Sequence, residues 1–106
     1  MAIVEVSIVP IGTGTASVSA YVARAVDILA GAGDVKYELT PMGTVIEGDL
    51  DRILDLVLMM HRSAFTSDSR RVLTTIKIDE RRDKPQSMEG KIASVKRQLR
   101  HETGEA

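Results

Sequence analysis

The chain has 106 residues, a formal charge of −1 and no cysteine. That length suits one domain with one core, and the missing thiols exclude disulfides, thiolate nucleophiles and sulfur-bound metals. A near-neutral charge with only three aromatic residues, Tyr21, Tyr37 and Phe65, argues against nucleic acid as a partner.

No apolar run is long enough to span a bilayer, and Glu5 interrupts the first one, so neither a membrane span nor a signal peptide is expected and the expected location is the cytoplasm. With so few rings, the core must be built from Val, Ile, Leu and Met. Residues 3–10 alternate, with Val4, Val6 and Ile8 on one face and Ile3, Glu5, Ser7 and Val9 on the other, which predicts a strand with one strongly apolar face. A turn, Gly12-Thr13-Gly14-Thr15, follows. Val18, Tyr21, Val22, Ala25, Val26 and Leu29 then recur at helical spacing, with Ser17 as the expected N-cap and the glycines at 31 and 33 as the stop.

Residues 35–40 and 44–48 predict a hairpin. Pro41 presets the first corner of the turn, and Gly43 is expected to take the left-handed conformation that rejoins the ladder. Asp49 is the expected cap of a second helix, with Asp51 in its first turn. Along that helix Leu50, Ile53, Leu54, Val57, Leu58 and His61 form one stripe, while Leu56, Met59 and Met60 widen it enough to require a second burial partner, most simply another subunit. Residues 63–69 read as a loop and 71–78 as a fourth strand. After a solvated connector, Met88, Ile92, Val95 and Leu99 define a C-terminal amphipathic helix opposite Lys91, Lys96, Arg97 and Arg100, with fraying expected from 101 onward.

The order β-α-β-β-α-β plus one helix predicts an α+β, ferredoxin-like sandwich. Right-handed crossovers put both helices on one face of the sheet. The other face is expected to carry Glu5, Ser7, Thr75 and Lys77 among Ile3, Val9 and Leu73, covered in part by a subunit or ligand.

Four segments, Ile8-Val-Pro-Ile-Gly-Thr, Tyr21-Val-Ala, Tyr37-Glu-Leu-Thr-Pro-Met-Gly-Thr-Val-Ile-Glu-Gly and Arg71-Val-Leu-Thr-Thr-Ile-Lys-Ile-Asp-Glu-Arg-Arg-Asp-Lys, carry a resemblance. The chain resembles the small thiamine-binding (YkoF-like) proteins over residues 3–95, most specifically in Pro-Met-Gly-Thr-x-x-Glu-Gly. The resemblance implies a ferredoxin-like fold, subunits joined through sheet edges and helices into dimers or a homotetramer, and non-catalytic binding of thiamine (vitamin B1) or its hydroxymethylpyrimidine part, as carrier or sensor in salvage. The chain departs from the family at Arg62, where an acidic residue usually follows the histidine.

The chemistry of the residues fits such a ligand. A carboxylate can meet the ring nitrogen and amine of an aminopyrimidine in one plane, and a thiazolium cation favours an anionic or aromatic wall. Glu47 suits the first and Tyr37 the second, Thr44 adds a hydroxyl, and Thr13 and Ser7 complete the candidate set, Thr13 from a turn able to receive the phosphate of a thiamine ester. Each also has a bland reading: a paired strand-end acid, ordinary strand formers, and a tight turn with a cap. The phase of the third strand leaves the direction of Glu47 open, since Thr44/Ile46 and Val45/Glu47 each offer one apolar member.

Two histidines and no cysteine give a metal site little to build from. An acylphosphatase-like activity would need an arginine in the first loop and an asparagine, and the chain has neither. No enzyme and no cofactor is therefore expected. The competing class is an oligomeric interaction module without a small-molecule ligand.

Overall fold

A computed structural model describes residues 1–102, with side chains through 99. Seven elements follow in order: β1 (Ala2–Ile11), α1 (Ser19–Ala32), β2 (Lys36–Thr40), β3 (Gly43–Gly48), α2 (Leu50–Ser63), β4 (Arg71–Glu80) and α3 (Met88–Glu102). The strands form one sheet in the order β2-β3-β1-β4, antiparallel at every neighbouring pair. This is the expected ferredoxin-like sandwich with an added C-terminal helix. β1 and β2 run the same way, with β3 between them.

Register decides which residues face the helices. Val4 lies opposite Ile46 on one side and Ile78 on the other, and Val6 opposite Thr44 and Ile76. Because alternate strand residues share a face, Val4, Val6, Thr44, Ile46 and Tyr37 turn toward the helices, whereas Ile3, Glu5, Val45, Glu47 and Lys77 turn away. The core is Val4, Val6 and Ile46 from the sheet, Ala25 and Leu29 from α1, and Ile53, Leu56, Val57 and Met60 from α2. That last set has the i, i+3, i+4, i+7 spacing of one helix face.

The α2 stripe is therefore rotated from the expected one. Leu54 and Leu58 lie outside the core and, with Met59, are exposed. Asp49 caps α2 as expected: its Oδ2 accepts from the Arg52 N–H at 3.2 Å. Asp49→Ala is expected to lower stability by about 1 kcal/mol, read as a shifted urea midpoint at unchanged slope. Ser17 does not cap α1, because the helix starts two residues later with Val18 at the N-cap and no side-chain bond there. Gly33 closes α1 in the left-handed region, at φ 76°.

β4 is an edge strand, and only Val72 and Thr74 along it are more than marginally covered. α3 projects from the body, with Ile92 and Val95 half-exposed or more. The radius of gyration of 16.4 Å exceeds the roughly 13 Å of a compact chain this long. Helical backbone continues through Glu102, and the rest of the expected frayed end, 103–106, lies outside the described residues.

Candidate functional site

α1 docks chiefly on α2, while α2 packs on β1, β3 and β4. The residues α1 turns toward the sheet near its start are small, Val22, Ala25 and Val26, so a gap remains over the strands. It forms a cavity of about 860 Å³ between α1 and the tip of the β2–β3 hairpin, with Leu39, Met42 and Thr44 on the hairpin side. Its floor includes Val6, Ile8 and Met60.

The hairpin tip is held by Thr40, whose Oγ1 donates to the Gly43 carbonyl at 2.8 Å and accepts from the Met42 N–H at 3.3 Å. Gly43 is not left-handed, contrary to expectation: among the described residues only Gly12, Gly14 and Gly33 have positive φ. A glycine is needed there because a Cβ would sit 2.8 Å from the Val6 carbonyl oxygen of β1. The hairpin thus presses backbone against backbone at the cavity wall formed by Gly43 and Thr44.

Polar groups at the cavity are few. Thr44 is 5% exposed, and its hydroxyl makes no hydrogen bond among the described residues. Tyr21 borders the mouth, its hydroxyl 3.4 Å from Thr66 Oγ1 and its ring covered by the Arg24 guanidinium at 5.2 Å. Asp27 is an exposed carboxylate on the rim. Residues 17–19, at the start of α1, also line the opening.

Of the five residues expected at the site, only Thr44 turns its side chain into this cavity; Ser7 borders it along the β1 backbone, but the register turns its side chain to the opposite face with Glu5, and the other three do not reach it. Tyr37 turns to the helix side and packs against the core. Thr13 lies in the exposed turn, its hydroxyl donating to the Thr15 carbonyl at 2.8 Å. Glu47 is on the opposite sheet face, in a cross-strand row with Lys36, Ile3 and Asp79. It is nonetheless 6% exposed, and its Oε2 is buried without a hydrogen-bond partner. The sheet therefore separates Glu47 from Thr44 and Tyr37.

Residues not anticipated as ligand contacts are Val22, Val26 and Asp27 of α1 and Leu39 and Met42 of the hairpin. Their signal was available in the spacing: 18, 22 and 26 form a stripe on α1 distinct from the 25 and 29 stripe that fills the core.

A second, more polar cavity of about 530 Å³ lies where β4 gives way to α3, between Asp79, Arg81, Lys84, Lys91 and Arg97. Its charges largely satisfy one another, through Lys91 with Asp79 and Arg81 with Asp83. The hydrogen bond from Lys91, then its charge, hold the Asp79 carboxyl below the usual carboxylate range. A depressed folded-state value means that this pair contributes above the ordinary aspartate pKa and is lost as pH falls through the lowered one. By NMR titration Asp79 is expected to titrate below an ordinary aspartate and to move up in Lys91→Ala; an unchanged midpoint would show that the pair does not form.

Among the described residues no group of three or more His, Asp or Glu side chains is placed to hold a metal ion, and no helix is long and apolar enough to cross a membrane.

A protein-family model for thiamine-binding proteins matches residues 4–96. The chain belongs to the thiamine-binding protein family. It is 49% identical over 102 residues to the UPF0045 protein YqgV of Bacillus subtilis, covering 93% of this chain and 98% of that one. The crystal structure of protein MJ1052 from Methanocaldococcus jannaschii matches it with a TM-score of 0.82 at 42% identity, over 90% of this chain and 95% of that one. A Thermotoga maritima protein provisionally assigned to thiamine biosynthesis or salvage matches with a TM-score of 0.71 over 89% of this chain and 97% of that one; at 23% identity it speaks to the fold. Within this family fold, Pro41, Met42, Gly43 and Thr44 all line the cavity under α1.

Proposed function

We propose that the chain binds thiamine, its hydroxymethylpyrimidine part or a phosphate ester in the cavity between α1 and the hairpin tip, and breaks no bond in it. One observation carries this reading: the four consecutive residues that make the family resemblance most specific, Pro41 to Thr44, are wall residues of the larger and more apolar of the two cavities described. The volume lies within the range typical of small-molecule sites. Valine, leucine and methionine walls suit the faces of a flat heterocycle, and the Thr44 hydroxyl is free to meet a ring nitrogen or exocyclic amine. Asp27 at the rim would sit near a thiazolium cation, and a phosphate would meet the start of α1, where N–H groups lack helical partners.

The groups around the cavity are hydroxyls, one rim carboxylate and apolar side chains, a set suited to holding rather than transforming. A carrier or sensor in salvage, in the cytoplasm and without a resident cofactor, is the role we assign. We also propose that copies of the chain assemble into a dimer or tetramer, since β4 offers a ten-residue unpaired edge.

Calorimetry on metal-free protein tests the ligand. Saturable heat with thiamine or hydroxymethylpyrimidine, and a matching rise in melting temperature, are expected. No heat and no thermal shift with either would overturn the reading and leave an assembly module.

A further inference from the structure

At the joint between β4 and α3, the cavity of about 530 Å³ holds unmatched charge of one sign. Four cations line it, Arg81, Lys84, Lys91 and Arg97, against one carboxylate, Asp79. Lys91 closes on Asp79, and Arg81 closes on both carboxylate oxygens of Asp83. Lys84 and Arg97 are left with no ion pair among the described residues. The cationic surplus is local, because the whole chain carries a formal charge of −1.

Helix geometry gathers these groups. Ser87, Lys91, Ser94 and Arg97 are spaced four, three and three residues apart, which puts them along one side of α3 from its cap onward. Arg81 and Lys84 reach the same cavity from the connector, where Pro85 restricts the backbone that carries Lys84. The Ser87 Oγ accepts from the Gly90 N–H at 3.0 Å, and the Ser94 Oγ accepts from Arg97 Nη2 at 3.1 Å. Each hydroxyl keeps its own proton to donate. Gly90 leaves room at the wall, since a Cβ there would lie 2.9 Å from the Ser87 Oγ. The joint itself is tied at Asp79, whose carbonyl accepts from Gln86 Nε2 at 3.1 Å and whose carboxylate meets Lys91.

We infer that this cavity binds a phosphoryl group, that of a small phosphate monoester or diphosphate, at a site separate from the one under α1. A phosphoryl group offers several acceptor oxygens and about two negative charges. Lys84, Arg97 and the two serine hydroxyls can meet them with charge-assisted hydrogen bonds. The concave shape suits a small molecule rather than a duplex, and none of the lining side chains is aromatic, so nothing there would stack on a base. The inference is independent of the thiamine reading, because no residue lines both cavities.

Amide NMR of the full-length protein titrated with inorganic diphosphate tests it, with sodium chloride at matched ionic strength as the reference. Saturable shifts are expected at Ser87, Gly90, Lys91 and Ser94 and are absent from the chloride series. Lys84→Ala/Arg97→Ala should weaken the binding about tenfold or more, with unchanged circular dichroism because both side chains are exposed. Val22→Phe, which fills the other cavity, should leave it unchanged. Shifts that never saturate, or that chloride reproduces, overturn the inference. So does saturable binding that the double variant retains or that Val22→Phe abolishes, since the anion would then lie elsewhere.

Discussion

Val22→Phe is expected to weaken thiamine binding about a hundredfold, equivalent to about 2.8 kcal/mol, while the protein stays folded. Val22 lies on the α1 wall and is half-buried rather than part of the buried core. A phenyl ring there extends into space already empty, so it meets little resistance and occupies the volume a heterocycle would need. Stability should change by less than about 1.5 kcal/mol, since the usual cost of overpacking arises in filled cores. Thr44→Val, which keeps the shape and removes the hydroxyl, should cost about tenfold in affinity. Glu47→Gln, on the far side of the sheet, should change affinity by less than about twofold. Calorimetry on the three variants separates the cavity from the opposite face: a full loss in Glu47→Gln with Val22→Phe unaffected would relocate the ligand.

Gly43→Ala is expected to destabilise the fold by about 2–3 kcal/mol. The added Cβ would lie 2.8 Å from the Val6 carbonyl oxygen and 3.5 Å from its carbonyl carbon. Both are backbone atoms of the central strand β1, which is hydrogen-bonded on its two sides and cannot yield locally. Gly48 makes a useful comparison, because there the nearest atom is the Val35 Cγ1 at 3.0 Å, a side chain that can shift. Gly48→Ala should therefore cost less than Gly43→Ala in urea denaturation. Equal costs would mean that the close approach of β3 to β1 is not what requires a glycine at 43.

The strands and their order were legible because alternation in 3–10 and 71–78 is strong, and because Pro41 and Asp49 mark a turn and a cap with little ambiguity. The phase of α2 was not. With apolar residues at 50, 53, 54, 56, 57, 58, 59 and 60, several stripes are nearly equal in the sequence, and only packing against β1 and β3 selects 53, 56, 57 and 60. Gly43 shows a different limit: its requirement comes from a neighbour remote in sequence, Val6, not from its own turn.

The grouping of candidate site residues was partly decidable beforehand. Thr44 and Glu47 are three apart on one strand, an odd separation, so they must face opposite sides of the sheet. Which side each faces needed the pairing of Ile46 with Val4. The cavity itself follows from how α1 leans on α2, a tertiary property that no local spacing encodes. Glu47, expected to meet an aminopyrimidine, is shielded from water, yet the face on which it is buried is not the one that holds the opening.

The most direct measurement is a crystal structure of the full-length protein grown with saturating thiamine. The account predicts density for a pyrimidine ring between Val22, Val26 and the Pro41–Met42 turn, with a polar ring atom within hydrogen-bond reach of Thr44 Oγ1. Thiamine seated against Glu47 on the far face, with the space under α1 left empty, would contradict it.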